Sequence, residues 1–145
     1  MTDKFFAVQK KVYLADTDVT GIAYYAKHLE WLEMARVELI AKIYKPLTRM
    51  IAEDGMSFIP LNVNITYKAP AVFEDLLIIK VRIKEVEKIK LWLDYEITKL
   101  VNNQEVIVAE ADVSMLCVNT AKGSKPAKIP PHLVEVLEGW EAKID

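Results

Sequence analysis

Two acids and a glycine lie close together in Asp16-Thr17-Asp18-Val19-Thr20-Gly21, just ahead of a long run with helical spacing. A carboxylate at such a junction sits beside backbone N–H groups that lack intrahelical acceptors, and beside the positive end of a helix dipole. The pairing supplies a charged group that can attack or activate, together with donors that can hold a developing oxyanion. Acyl transfer needs both. The same residue types also make Asx turns and helix caps, in which Asp16 or Asp18 only satisfies local N–H groups.

Other chemistries fit the acidic turn less well. A calcium loop opening at Asp16 requires a bidentate Glu at its twelfth position, and that position is Lys27. The Asp-x-Asp pattern after an apolar strand is also similar to the first motif of haloacid-dehalogenase-type phosphatases. Those enzymes need a parallel α/β core, whereas the chain beyond Ile59 reads as consecutive antiparallel strands.

The elements that must position the turn follow from hydrophobic period. Residues 5–14 read as a strand. Over residues 26–44, Leu29, Leu32, Leu39 and Ile43 mark one stripe of a helix, widened by Trp31, Met34, Ala35 and Ile40, and Pro46 ends it. Residues 48–54 suggest a short second helix closed by Gly55. Four alternating runs come next. Their predicted buried faces are Leu61, Val63, Ile65 and Tyr67; then Ile79, Val81 and Ile83; then Leu91, Leu93, Tyr95 and Ile97; and lastly Ala109, Ala111, Val113, Met115 and Cys117. Asn102-Asn103 predicts a tight hairpin turn. Period-2 runs argue antiparallel strands with one covered face, and the long helix is the only cover of sufficient length. The expected class is α+β: a curved antiparallel sheet wrapped around one central helix. Residues 132–140 suggest a small terminal helix. Trp92 falls on a polar strand face and is a candidate subunit contact.

Composition narrows the partners. The chain has 145 residues, enough for one sizeable core, and its apolar and charged fractions of 52% and 28% are those of a globular protein. A net charge of −2 gives no reason to expect nucleic acid or an anionic membrane as partner. No secretory leader or membrane span is recognisable, and the lone Cys117 suits a reducing compartment. The expectation is a cytoplasmic protein without membrane insertion.

Residues 12–39 resemble the 4-hydroxybenzoyl-CoA thioesterase-like branch of the hotdog-fold acyl-CoA thioesterases, which includes the bacterial YbgC group. The resemblance is carried by Asp16-Thr17-Asp18, Gly21, Tyr24, Ala26 and the helix pattern Trp31-Leu32-Glu33-x-Ala35-Arg36. A second stretch, Ile65-Thr66-Tyr67-Lys68-Ala69-Pro70 with Asp75, resembles that family's next strand and turn. The likeness runs through the Lys128-Ile129-Pro130 tail and implies one hotdog thioesterase domain over residues 1–145.

The resemblance also implies a site. Asp18 matches the essential carboxylate, as nucleophile or general base, and Asp16 the first acid of the motif. Backbone N–H groups near Tyr25 match the donors to the thioester oxygen. Gly21 lets the chain turn close to substrate, and Tyr24 and His28 flank it. YbgC-like members often carry His where this chain has Tyr25, so a histidine-assisted step is not implied there. Lys68, Lys125 and Lys128 are the candidates for coenzyme A phosphates, ahead of Lys88 and Lys90. Glu74 stands where relatives carry a small turn residue. The implied substrate is an acyl-CoA, or an acyl group on an acyl carrier protein; coenzyme A arrives with the substrate, and no cofactor or metal is implied. Homodimers, often paired into homotetramers, are implied too, with each site built from two subunits. Two rival readings share the fold. A hydratase or dehydratase would need a His with an acid, and a non-catalytic acyl-thioester-binding module would need neither Asp16 nor Asp18.

Overall fold

In the computed structural model, which describes residues 4–145, the alternating runs form one antiparallel sheet. Its strands are β1 (Phe6–Lys11), β2 (Met56–Tyr67), β3 (Leu76–Val86), β4 (Lys90–Val101), β5 (Gln104–Asn119) and the short β6 (Lys125–Pro126). The order across the sheet is β1-β3-β4-β5-β2, with β6 pairing to β5 beyond the end of β4. The central helix α1 (Lys27–Ile43) lies in the curl. This is the expected α+β architecture of a helix held in a rolled sheet.

The covered face follows the alternation closely. Leu77, Ile79 and Val81 of β3, Leu91 and Leu93 of β4 and Cys117 of β5 are fully buried, as are Ala35 and Leu39 of α1. Trp31 joins the same core. Each such aliphatic side chain contributes roughly 1.5–3 kcal/mol by leaving water. The hairpin between β4 and β5 turns at Asn102 and Asn103, whose φ values of 52° and 63° are the left-handed pair that a two-residue turn of this hand requires.

β2 departs from the expectation. The strand begins earlier, at Met56, and a bulge between Pro60 and Asn62 shifts its phase. Met56 and Phe58 are buried, but Leu61, Val63 and Tyr67 stand largely open. The physical reason is position: β2 is the sheet's edge, and the sheet's curl carries its second half past the reach of one helix. Leu29 and Met34 on α1 are exposed for the same lack of a facing layer.

Smaller elements refine the ends. The first strand stops at Lys11, because the chain folds into a tight turn over Leu14–Asp16. The second helical stretch comprises α2 (Leu47–Arg49) and a wider π turn over Met50–Asp54, closed by left-handed Gly55. The terminal helix breaks at Gly139 into α3 (Pro131–Glu138) and α4 (Trp140–Lys143), which bury Leu133, Leu137 and Trp140. Trp92 is half-buried and donates its indole N–H to Glu87 at 2.7 Å.

The turn before β3 is fastened to the end of β1. Val12 and Asp75 are joined through a backbone bond of 2.9 Å, and Glu74 N–H donates to the Val12 carbonyl at 2.9 Å. Holding that geometry gives Glu74 a φ of 74°. A side chain there costs roughly 1–2 kcal/mol, while glycine gives back about 0.4–1 kcal/mol through a freer unfolded chain. Glu74→Gly is therefore expected to raise stability by about 0.5–1 kcal/mol, a melting increase of about 2–4 °C. Thermal unfolding followed by circular dichroism measures this, and a lower melting temperature would refute it.

Candidate active site

The acidic turn is shaped by its own hydrogen bonds. Asp18 N–H donates to the Ile22 carbonyl at 2.9 Å, closing a loop that needs left-handed Gly21, with φ 80°. Thr20 gives the Asp18 carboxylate both its backbone N–H, at 2.7 Å, and its hydroxyl. These bonds hold the Asp18 carboxyl below the usual carboxylate range, the Thr20 hydroxyl contributing most. Asp18 is exposed, one hydrogen-bonded step from Ile22. Thr20 was not among the sequence candidates, although its Asx-turn spacing from Asp18 is a signal that could have found it.

Asp16 faces the other way. Its side chain accepts from Tyr13 N–H at 2.9 Å and pairs with Lys10 at 3.3 Å, nearly buried, beside a hollow of about 440 Å³ between β1 and α1. Its carbonyl accepts the Tyr24 N–H at 2.8 Å. The two acids of the motif thus divide: one anchors the turn, the other meets solvent.

The start of α1 carries the unusual backbone feature. Lys27, His28 and Leu29 N–H groups reach back three residues, to the carbonyls of Tyr24, Tyr25 and Ala26 at 2.9, 3.4 and 3.1 Å. The orphan donors of the helix end are thereby displaced upstream. Among the described residues, neither Tyr25 N–H nor Ala26 N–H has a backbone acceptor. Beside them opens a hollow of about 380 Å³, lined by Ile22, Ala23, Tyr25, His28, Tyr67 and Lys68.

Aromatic groups close one side of this hollow. The Tyr24 and Tyr25 rings lie 4.8 Å apart, and the neighbouring Tyr25 phenol raises the pKa of Tyr24. His28 is buried, with its ring 4.7 Å from Trp31 and edge-on to Tyr67 at 4.8 Å. Its Nδ1 lies 3.0 Å from the Tyr25 carbonyl. A carbonyl only accepts, so Nδ1 carries the hydrogen; burial lowers the imidazole's pKa, which leaves Nε2 an acceptor in the neutral ring. Tyr67, a further residue outside the sequence candidates, donates its hydroxyl to the same carbonyl at 2.9 Å.

The lysines separate by place. Lys68 lines the hollow and stands 3.8 Å from Glu110. Lys125 pairs beside Asn119, whereas Tyr67 pairs with Ala109 at the other end of β5. The ten-residue offset amounts to ~33 Å along a strand. Within one chain, Lys125 and the exposed Lys128 are thus at the far end of the sheet from Tyr25. No group of three His, Cys, Asp or Glu side chains among the described residues is placed to hold a metal. Nor is any described helix long and apolar enough to cross a membrane.

A rolled antiparallel sheet around one helix is the hotdog fold. Residues 12–137 match the family model described as the thioesterase-like superfamily, and the chain belongs to that family. Among curated relatives, the acyl-CoA thioester hydrolase YbgC of Escherichia coli O6:H1 is 29% identical, covering 92% of this chain and 96% of its own. A probable thioesterase from Bartonella henselae is 28% identical with a TM-score of 0.78, over 88% of this chain and all of that one. A 4-hydroxybenzoyl-CoA thioesterase mutant, solved with 4-hydroxybenzoyl-CoA, has a TM-score of 0.86 at 19% identity, over 92% and 98% of the two chains; that likeness is one of fold.

Burial of neutral His28 has a pH signature. Its folded pKa lies below the unfolded one, so the unfolded chain binds the extra proton first and stability falls on acidification through about pH 6.5. Asn can present an N–H in place of Nδ1 without titrating. Urea unfolding at about pH 7 and about pH 5 is expected to show a smaller loss for His28→Asn than for the natural protein. Equal losses would refute the assignment.

Proposed function

We propose that the protein hydrolyses acyl-CoA thioesters to the free acid and coenzyme A, with Asp18 as the reacting carboxylate. The observation that carries the reading is that an ionised, exposed Asp18 and two amides without backbone acceptors lie on the same short stretch leading into α1. The thioester carbonyl is received by the Tyr25 and Ala26 N–H groups, which stabilise the tetrahedral oxyanion. Asp18 either attacks the carbonyl carbon, expelling the CoA thiolate and leaving a mixed anhydride for water, or takes a proton from attacking water. Thr20 makes the carboxylate a weak proton acceptor at neutral pH, which favours direct attack. Gly21 keeps the turn narrow enough for close approach. The reaction draws on no resident cofactor or metal.

The complete site in this reading takes two subunits. Ile22, Tyr24, Tyr25, Leu29, Val63 and Tyr67 are exposed together around the free edge of β2, an apolar surface bordered by unpaired strand groups. Two β2 edges paired antiparallel about a two-fold axis would cover it. With the two strands aligned end to end about that axis, Tyr67 would lie opposite the first residues of the partner's β2; the register within one chain puts the partner subunit's Lys125 two further strand spacings away, about 14 Å in all. That brings the distant lysines within reach of a coenzyme A tail whose acyl end lies at Tyr25, with Lys68 at the mouth. Acyl carrier protein delivering the acyl group through its phosphopantetheine arm is the alternative donor.

Asp18→Asn is expected to keep the fold and lower kcat for acyl-CoA hydrolysis by about 10²–10⁴-fold; unchanged turnover in a folded variant removes the mechanism. Thr20→Ala is expected to move the acid limb of kcat/KM to higher pH, since it deletes the strongest stabiliser of the Asp18 carboxylate. Sedimentation equilibrium is expected to give at least twice the chain mass, and a monomer with full activity would contradict the two-subunit site.

A further inference from the structure

The Tyr25 carbonyl receives three donors: the Tyr67 hydroxyl at 2.9 Å, His28 Nδ1 at 3.0 Å and the His28 backbone N–H at 3.4 Å. The two side chains come from different elements, the end of β2 and the first turn of α1. An exposed helix-start carbonyl has water available and needs no such convergence. Tyr67 spends its hydroxyl on this oxygen although its ring is already held edge-on to His28.

The consequence lies in the peptide planes. All peptide bonds of the described residues are trans, so each C=O points opposite the N–H of the same unit. The unit joining Tyr24 and Tyr25 contains the Tyr25 N–H, and its carbonyl is held by Lys27 N–H at 2.9 Å. The unit joining Tyr25 and Ala26 contains the Ala26 N–H, and its carbonyl is the one held by Tyr67 and His28. The two unclaimed amides therefore belong to two consecutive planes, the first fixed by a backbone bond of 2.9 Å and the second by a longer backbone bond of 3.4 Å reinforced by two side chains. Donors on a peptide oxygen also polarise the amide and strengthen its N–H as a donor.

We propose that Tyr67 and His28 are positioning residues for thioester hydrolysis: their joint grip on the Tyr25 carbonyl orients and polarises the amides that receive the oxyanion. The inference rests on the proposed hydrolase reading and assigns these two side chains no contact with substrate. Because the amides act on charge that develops only in the transition state, loosening them lowers kcat and leaves KM nearly unchanged. Losing one oxyanion donor outright typically costs about 10²–10³ in kcat. Misorienting a donor that remains present is expected to cost about tenfold or more.

The test uses the full chain with short aliphatic, long fatty and aromatic acyl-CoA thioesters, read by thiol release. Tyr67→Phe removes the hydroxyl and keeps the ring, and is expected to lower kcat about tenfold with little change in KM. His28→Asn, which can still offer an N–H to the carbonyl, is expected to keep more of kcat than His28→Phe, which cannot. If Tyr67→Phe does not fold, the His28 pair decides the matter. Unchanged kcat in Tyr67→Phe, or equal rates for the two His28 variants, overturns the positioning role while leaving hydrolysis by Asp18 intact. A raised KM at constant kcat overturns it in favour of substrate contact. If the natural protein releases no thiol from any of these thioesters, hydrolysis and the positioning role both fall.

Discussion

One helix cannot cover every strand of a sheet this wide, and the rest of the molecule depends on that shortfall. α1 buries the middle of the roll, where β3, β4 and β5 present largely apolar faces. It leaves the second half of β2, and Leu29 and Met34 on its own surface, with no facing layer. The acidic turn, the unclaimed amides and the aromatic side chains all gather at this uncovered end. A site open to a large substrate and an edge open to a second subunit are two results of the same geometry.

Most of the architecture was legible in the sequence because period and burial agreed. The runs at Ile79–Ile83 and Leu91–Ile97 alternate without interruption, and their buried faces are the predicted ones. Beyond its bulge at Leu61, β2 turns the predicted residues Val63, Ile65 and Tyr67 to the helix side, opposite Val113, Ala111 and Ala109, and only their burial failed, because the helix does not reach this edge. Leu29 and Met34 look like core by helical spacing alone. Their exposure depends on what lies across from them, and no local pattern encodes that.

The site was legible to a lesser degree. Asp18, Tyr25, Tyr24, Gly21, His28 and Lys68 are brought to one end of the molecule, as their spacing around the helix start suggests. Asp16 is joined to Lys10, a strand residue whose approach is set by the turn between them. Tyr67 stayed hidden as a functional candidate because it reads as an ordinary β residue; only the closure of β2 against the helix start brings its hydroxyl to Tyr25. Lys125 and Lys128 were placed by family likeness, and a single chain holds them far from the amides they would serve.

The strand order carries a consequence for how the chain reaches this state. β2 is made before β3, β4 and β5, yet it joins the sheet only through β5, pairing Met56 with Asn119. The β3–β4–β5 meander closes through short local turns, whereas β2 must wait for the whole meander and then close a loop of dozens of residues. Loop-closure entropy and high contact order both slow that step. Nascent chains should thus pass through a stage in which the meander is formed and β2 is still seeking its place, which makes the last half of this domain the timekeeper for the first.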